Sequence, residues 1–268
     1  MFVKNNWPIL FTFKSKNMKI PFGDQLYFET ESSIDLSLPI TGQGVKAWYV
    51  GSPTFEPVKT SSFIGEVSSG APVNFRNIAF NPHGNGTHTE CLGHITKIIY
   101  SVNDVKLPFL MAAVLITIQP KSENGDYIIT SAALKNALSE YEGKFEAIII
   151  RTLPNVIRKK TKDYSNSNPP YLDIACIKVL ESWGIKHLLI DTPSVDREND
   201  GGVLAFHHAF WEVPESPRFD KTLTELIYVP DEVLDGRYAL NLQVAPFEND
   251  ASPSRPLIFS LKKETRAK

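Results

Sequence analysis

Short apolar runs, bounded by glycine, proline and polar residues, recur along the chain at intervals that predict β-strands. These runs are rich in β-branched and aromatic residues, which suit a pleated, half-buried strand. The predicted strands are 34–40, 47–50, 73–80, 110–118, 145–151, 185–190, 226–229, 238–244 and 257–261. Strands therefore dominate both ends of the chain.

Two segments in the middle carry apolar side chains at spacings of three and four residues, which indicates helices. The first covers 131–141, where Thr130 or Ser131 can cap the helix and Gly143 can end it. The second covers 172–183 and ends before Gly184. An apolar strand follows each helix, and such αβ units place parallel strands side by side. The pattern predicts a single α/β domain.

The chain of 268 residues is long enough to bury a sizeable core. We interpret residues 1–17 as an unstructured N-terminal extension, with an upstream translation start as the alternative, and 18–268 as the domain, because Met18 begins a more conventional stretch. The formal net charge is -2, without a basic block, so nucleic acid is not an expected partner. No apolar run approaches the roughly 18 residues of a membrane span, so a membrane is not expected either.

The cysteine content bears on the compartment. Cys91 and Cys176 are too few for a disulfide scaffold, and both lie in apolar or chemically rich stretches. Such usage suits a reducing compartment. We therefore expect a cytoplasmic protein.

The segment from His83 to His94 concentrates the side chains that carry chemistry. Glycines at 84 and 86 break regular structure after a predicted strand, where α/β proteins often place ligand sites. His88, Glu90 and His94 follow closely. In an extended segment, His88 and Glu90 point to the same face, so both can bind one metal ion such as zinc or manganese.

This segment resembles the signature His-x-Gly-Thr-His-x-Asp-x-Pro-x-His of the cyclase family, which includes metal-dependent kynurenine formamidases and isatin hydrolases. Gly86-Thr87-His88 matches the middle of the signature and His94 matches its end. Three positions differ from it: Glu90 replaces the aspartate, Leu92 replaces the proline and Gly84 replaces the first histidine.

Further landmarks of the same family follow in the same order. Residues 34–40 resemble its opening strand, and 191–196 resemble a central loop at a strand end. Asp250-Ala-Ser-Pro-Ser-Arg-Pro resembles its final Asp-x-Ser-Pro-x-Arg turn. The resemblance thus extends from residue 34 to the end of the chain.

The resemblance implies a β/β/α swivelling fold, a homo-oligomer, and one or two zinc or manganese ions that serve amide hydrolysis. By position it implies metal ligands at His88, Glu90, Glu225 and either His207 or His208. It also implies that His94 transfers protons. Of the two adjacent histidines, His207 has the better helical register for facing the site.

The departure at Gly84 changes the expected metal content. Glycine offers no ligand, so one ion is expected rather than two. The neighbouring His83 is the candidate replacement ligand, if a one-residue bulge at the glycines turns it inward. Asp191 and Asp196 flank Pro193 after an apolar strand, and we expect them to support the ligands from behind.

The resulting prediction is a metal-dependent hydrolase of small molecules that cleaves an amide, as an arylformamidase does, or a related cyclic amide or lactone. One alternative is a member of the same fold that binds a metal or a small molecule without turning it over. Another is a thiol hydrolase in which Cys91 attacks a carbonyl and His94 activates it.

Overall fold

The computed structural model describes residues 17–23 and 25–263. The predicted N-terminal extension, residues 1–17, lies outside this part of the chain except for Asn17. The strands here are β1 (Lys19–Pro21), β2 (Leu26–Glu29), β3 (Ser33–Asp35), β4 (Thr54–Pro57), β5 (Arg76–Ala79), β6 (His88–Glu90), β7 (Met111–Ile118), β8 (Lys121–Glu123), β9 (Asp126–Ile129), β10 (Ala147–Thr152), β11 (Tyr171–Leu172), β12 (His187–Ile190), β13 (Thr222–Glu225), β14 (Gly236–Val244), β15 (Ala251–Ser260) and β16 (Lys262–Lys263). The α-helices are α1 (Ser131–Leu138), α2 (Cys176–Trp183) and α3 (Ala205–Trp211).

Seven of these strands form a closed, mixed β-barrel. Their order is β14-β7-β10-β12-β13-β6-β15, and β15 pairs back onto β14 to close the ring. Neighbouring strands from β7 to β13 run parallel, and the other pairs in the ring run antiparallel. The predicted α/β class is confirmed. The parallel strands arise because the chain returns through helices, as the αβ pattern of the sequence indicated.

Both faces of the barrel wall are apolar, and each face packs against a different cluster of side chains. On β10, Ile148 and Ile150 pack against a cluster that includes residues of the helices, among them Leu134 and Leu180. The residue between them, Ile149, belongs to a separate cluster on the other face of the wall. Because strand side chains alternate, a strand buried on both faces appears in the sequence as an uninterrupted apolar run.

Each of the two predicted helices is shorter than predicted at one end. Helix α1 begins where expected, with Thr130 Oγ1 accepting a hydrogen bond from the Ala133 N–H at 3.2 Å, but it ends at Leu138. Helix α2 begins only at Cys176, because Tyr171–Leu172 pairs with β9 as a strand. Its predicted stop is confirmed, since Gly184 adopts a left-handed φ of 77°.

Two predicted strands are wrong and a third is much shorter. Residues 47–50 form a turn, in which Trp48 and Tyr49 both have φ near 59°. Residues 226–229 follow the strand β13 rather than forming one, because Leu226 has a φ of 54° that breaks the ladder. Within 34–40, the strand ends at Asp35. Left-handed residues that are not glycine are rare, so an apolar sequence gives no warning of them.

Residues 51–80, which we call the arm, are built around β4 and β5. In the described part of the chain, these two strands pair only with each other. The arm leads directly into His83. Separately, the described residues contain no helix long and apolar enough to cross a membrane.

Candidate metal centre

Strand β6 carries the centre of the predicted site. It lies between β13 and β15, with His88 opposite Glu225 and Leu223 opposite Glu90. His88 and Glu90 are two residues apart on a buried strand, so they share a face, as the spacing predicted. This register also explains why Glu225, 135 positions beyond Glu90 in sequence, reaches the same place.

His88, Glu90 and Glu225 form what we call the inner group. One ligand atom of each side chain lies within 4.8 Å of the others. His88 Nε2 is 3.5 Å from Glu225 Oε2. All three residues are buried, with exposed fractions of 0, 1 and 3%. Such burial of two carboxylates is costly without a compensating cation.

His83, Glu90 and His94 form the outer group, which shares Glu90 with the inner group. His83 Nδ1 lies 2.9 Å from Glu90 Oε2, and His94 Nε2 lies 4.0 Å from the same oxygen. The His83 and His94 rings stack with their centroids 4.1 Å apart. Glu90 therefore joins two sets of metal-competent side chains.

The structure explains why position 84 cannot carry the histidine that the family signature has there. A Cβ atom on Gly84 would lie 2.5 Å from Val50 Cγ2 and 3.0 Å from the Ala47 carbonyl oxygen. The chain instead directs the preceding residue, His83, towards Glu90. The predicted replacement of one histidine by its neighbour thus has a steric basis, although its role in metal binding stays a prediction.

Helix α3 brings His207 to the cluster and turns His208 away. His207 Nε2 is 3.1 Å from Glu90 Oε1, whereas His208 Nδ1 contacts the Val213 carbonyl oxygen at 3.2 Å. Asp196 holds His207 in place, since its carboxylate accepts the His207 backbone N–H and lies 2.6 Å from His207 Nδ1. Asp196 therefore lies directly behind a cluster residue, as the sequence suggested.

Asp191 occupies a different setting from Asp196. Its carboxylate accepts hydrogen bonds from the Thr152 N–H and hydroxyl, and it pairs with Lys159 at 2.8 Å. These bonds tie two strand ends together, so Asp191 braces the loops beside the site instead of contacting its histidines.

Asp250 is a cluster residue that the sequence analysis treated only as a landmark of the final turn. Its Oδ2 atom lies 2.7 Å from His83 Nε2 and 3.2 Å from His94 Nδ1. The pairing of β15 with β6 brings it there, and the Cys91 N–H donates to its carbonyl oxygen. The signal available in the sequence was the Asp250-Ala-Ser-Pro motif, which gives no indication of contact with the histidines.

The carboxylates and imidazoles of the cluster shift one another's pKa values. Burial disfavours charged rings, but contacts with neighbouring carboxylates outweigh it and raise the pKa of His83 and of His207 to about 10 each. Burial, together with the nearby Glu90 charge, raises the pKa of Glu225. Burial acts in the same direction on Glu90, but His94, His207 and His83 outweigh it and hold its pKa well below the usual range.

Two buried atoms of the inner group support the presence of a metal ion. His88 Nε2 and Glu90 Oε2 make no hydrogen bond with any described residue. Glu90 Oε2 is close to His83 Nδ1 but lacks hydrogen-bond alignment with it. Buried polar atoms are nearly always partnered, so orphaned acceptors that face one another fit a ligand set for a divalent cation. Imidazole nitrogen and carboxylate oxygen suit zinc and manganese alike.

A cavity of about 340 Å³ opens onto the cluster. His83, His94, His207 and Glu225 of the cluster line it. The other lining residues include Trp48, Val50, Ser194, Arg197 and Leu204. Trp48 and Leu204 both hold left-handed φ angles, and such strain commonly marks functional sites. The cluster is therefore accessible to a small molecule.

Cys91 is in no position to act as a nucleophile in this state. Its Sγ donates a hydrogen bond to the Tyr100 carbonyl oxygen, and burial raises the pKa of the thiol to about 11. Nucleophilic cysteines need a lowered pKa. Both cysteines are free and buried.

Comparison with known proteins identifies the family. Residues 34–197 match the model of the Cyclase family, described as "Putative cyclase". This match covers more than half of the chain, so the chain belongs to the Cyclase family. No curated protein sequence matches it.

Several solved structures share the fold. One is a potential metal-dependent hydrolase with cyclase activity, which is 15% identical, has a TM-score of 0.59, and aligns over 87% of this chain and 98% of its own. An isatin hydrolase bound to the product analogue thioisatinate is 13% identical, with a TM-score of 0.62 over 89% of this chain and 94% of its own.

A third structure, isatin hydrolase A from Labrenzia aggregata bound to benzyl benzoate, is 15% identical. Its TM-score is 0.60, over 85% of this chain and 93% of its own. At such identities the likeness concerns the fold, and the fold predicted from the family resemblance is confirmed.

Proposed function

We propose that this protein is a metal-dependent hydrolase that cleaves an amide bond in a small molecule, as an arylformamidase does, or a related cyclic amide or lactone. The observation that carries the proposal is Glu90, a buried carboxylate shared by two ligand groups, from which His83, His94 and Glu225 line a cavity. The likeness to isatin hydrolases supports a cyclic or aromatic amide as substrate. A kynurenine formamidase-like role in tryptophan catabolism is the narrowest form of this proposal.

The inner group is the proposed binding position for the ion. His88, Glu90 and Glu225 offer one nitrogen and carboxylate oxygens, and His88 Nε2 makes no hydrogen bond with any described residue. When bound there, a divalent ion would lower the pKa of a water to roughly 7 and polarise the substrate carbonyl.

His94 is the proposed proton-transfer residue. Its side chain is 31% exposed, whereas the side chains of Glu90 and His88 are buried, so His94 reaches both the cavity and the cluster. Asp250 contacts His94 Nδ1, which favours a proton on that nitrogen and leaves Nε2 available as an acceptor. His94 can then take a proton from the attacking water and return one to the leaving nitrogen.

We infer that His207 supports the site through Glu90. Asp196 orients the His207 ring from behind, and His207 Nε2 contacts Glu90 Oε1. A metal-ligating histidine commonly pairs its second nitrogen with a carboxylate in this way. His207 therefore either joins the ligands directly or fixes the carboxylate that does.

One ion per chain, zinc or manganese, stays our prediction. Both ring nitrogens of His83 already contact carboxylates, Glu90 on one side and Asp250 on the other. His83 Nδ1 would have to break its contact with Glu90 before it could bind a second ion. Metal analysis of His83→Ala tests this, because loss of one ion from a two-ion protein would instead make His83 a ligand.

The decisive test of the catalytic role is the pair His94→Ala and His208→Ala. Removing a general acid–base residue costs about 10²- to 10⁴-fold in rate, so kcat of His94→Ala should fall by that factor while its metal content is retained. His208 contacts the Val213 carbonyl oxygen, so His208→Ala should keep the rate. The assay uses N-formyl arylamines, cyclic amides and lactones with zinc- or manganese-loaded protein.

Equal turnover of His94→Ala and the unsubstituted protein would contradict the role of His94. Metal binding without hydrolysis of any of these substrates would favour a binding protein instead. The sequence reason for that alternative was the missing ligand at Gly84, and the approach of His83 to Glu90 weakens it.

We also propose a cytoplasmic location and a homo-oligomer that uses neither nucleic acid nor a membrane. The free, buried cysteines support a reducing compartment.

A further inference from the structure

Trp48 and Tyr49 form a strained turn in the wall of the cavity. Both residues have a φ of 59°. A left-handed backbone is unfavourable for bulky side chains and persists only where the surrounding contacts enforce it. Because Trp48 lines the cavity, the contacts that hold this turn also set the position of one cavity wall.

Residues 165–168, which we call the bracing segment, hold the turn through Tyr49. The Tyr49 N–H donates to Ser165 Oγ at 3.0 Å, and the Tyr49 hydroxyl donates to Asn166 Oδ1 at 3.1 Å. Tyr49 is 61% exposed, so these hydrogen bonds, and not packing in the core, fix its conformation. The position of the turn therefore depends on the position of the bracing segment.

Glu198, in the loop between β12 and α3, fixes the bracing segment. Its Oε1 accepts the Asn166 N–H at 2.5 Å, and its Oε2 accepts the Asn168 N–H at 2.8 Å. Both asparagines are left-handed, with φ of 56° and 44°. The Tyr49 hydroxyl lies 3.4 Å from Glu198 Oε1. Hydrogen bonds to a carboxylate are roughly twice as strong as neutral ones, so one side chain holds both strained residues and contacts the turn.

Glu198 lines the cavity, as Trp48 does, but it is not part of the metal-competent cluster. In the described part of the chain its hydrogen bonds go to Tyr49 and to the two asparagines. We propose that Glu198 is a positioning residue that holds Trp48 in place for substrate binding, acting through the bracing segment and Tyr49. This inference rests on the proposed function, because it assigns Glu198 a part in binding the substrate of the same site.

Glu198→Gln tests the proposal, because it preserves the size of the side chain. Glutamine has one acceptor oxygen, so its amide group must face one of the two N–H donors and that hydrogen bond is lost. Lys46 still forms a β-bridge with Asp163, just before the bracing segment, so the variant should stay folded. With metal-loaded protein and an N-formyl arylamine, KM should rise about tenfold, as expected for one lost hydrogen bond to a charged group. The value of kcat should stay within about twofold, because the bond serves binding and not the chemical step.

A second measurement does not depend on turnover. Acrylamide quenching of tryptophan fluorescence, taken as the difference between each protein and its Trp48→Phe counterpart, reports the exposure of Trp48 alone. This quenching should be stronger in Glu198→Gln than in the unsubstituted protein, because the turn is held less firmly. Glu215→Gln is the matched control, since Glu215 is exposed and does not line the cavity. It should change neither KM nor the quenching of Trp48.

The proposal requires that Glu198→Gln change both KM and the exposure of Trp48. Unchanged quenching would overturn it, because Trp48 would then be held without Glu198. A fall in kcat at constant KM would also overturn it, since that result would place Glu198 in the chemical step or in folding. If no substrate were turned over, the quenching would still decide the role of Glu198, and only the proposed hydrolase function would be lost.

Discussion

The barrel and the arm are built from similar amino acids but hold them in opposite ways. In the barrel, β10 buries isoleucines on both faces, and β6 is walled in by neighbours on both sides. In the arm, β4 and β5 present isoleucine and phenylalanine to solvent. Packing in the barrel fixes the positions of charged groups that would otherwise repel, whereas the apolar side chains of the arm are exposed. His83 stands at the junction of the two regions.

The largest difference should appear when the same substitution is made in both regions. Ile149→Ala removes a fully buried side chain and should lower the free energy of unfolding by about 2–5 kcal/mol. Ile78→Ala removes one that is 56% exposed, and it should change the stability of the monomer by no more than about 0.5 kcal/mol. Urea denaturation of both variants, under conditions where the chain is monomeric, makes the comparison. Equal losses would show that the arm packs as tightly as the barrel.

A buried histidine should make the barrel sensitive to acid. Burial, with a smaller contribution from Lys186, lowers the pKa of His187 from 6.5 to about 4. Between pH 6.5 and pH 4, His187 binds a proton in the unfolded chain but not in the folded chain. Stability is therefore fully present above pH 6.5 and declines as the pH falls towards 4, by roughly 3 kcal/mol in total.

His187→Asn should remove this dependence while leaving a partner for Thr222, whose hydroxyl is 2.9 Å from His187 Nδ1. The measurement is the free energy of unfolding from pH 7 to pH 4 for both proteins. Parallel curves for the two proteins would refute the assignment.

A smaller effect is expected where the arm joins the barrel. Gly84→Ala forces a Cβ atom to within 2.5 Å of Val50 Cγ2, which should cost about 1–3 kcal/mol. Gly51→Ala is the matched control, because a Cβ there meets no heavy atom within 4 Å. Thermal melts of the two variants compare them. If Gly84→Ala were as stable as Gly51→Ala, steric exclusion of a side chain at position 84 would not explain the use of His83.

How far the sequence could predict the fold depends on how local its signals are. β7, β10 and β12 were predicted because strands buried on both faces are continuous apolar runs. Residues 226–229 have the same composition, yet Leu226 turns left-handed and the strand lies just before it. The predicted strand 73–80 contains β5 but is twice its length, and its partner Thr54–Pro57 was not predicted, since that segment is half polar.

The site residues likewise divide into those that local sequence patterns predict and those that long-range contacts bring together. The two-residue spacing of His88 and Glu90 sufficed to put them on one face of an extended segment. Asp250 lies 167 residues after His83 and contacts it only because β15 pairs with β6. The pairing of strands that are distant in the sequence decides which side chains come together, and no local sequence pattern predicts this pairing. The choice between His207 and His208 likewise depends on the Asp196 carboxylate, which holds the first turn of α3.

The central claim is that the cluster around Glu90 binds a divalent ion through the inner group, and metal content tests it most directly. Protein purified without chelators, then dialysed against zinc or manganese, should hold a stoichiometric ion by elemental analysis. His88→Ala should lose it, because the substitution removes the one nitrogen ligand of the inner group, and His208→Ala should retain it. Equal metal content in His88→Ala and the unsubstituted protein, or no bound metal in either, would contradict the account.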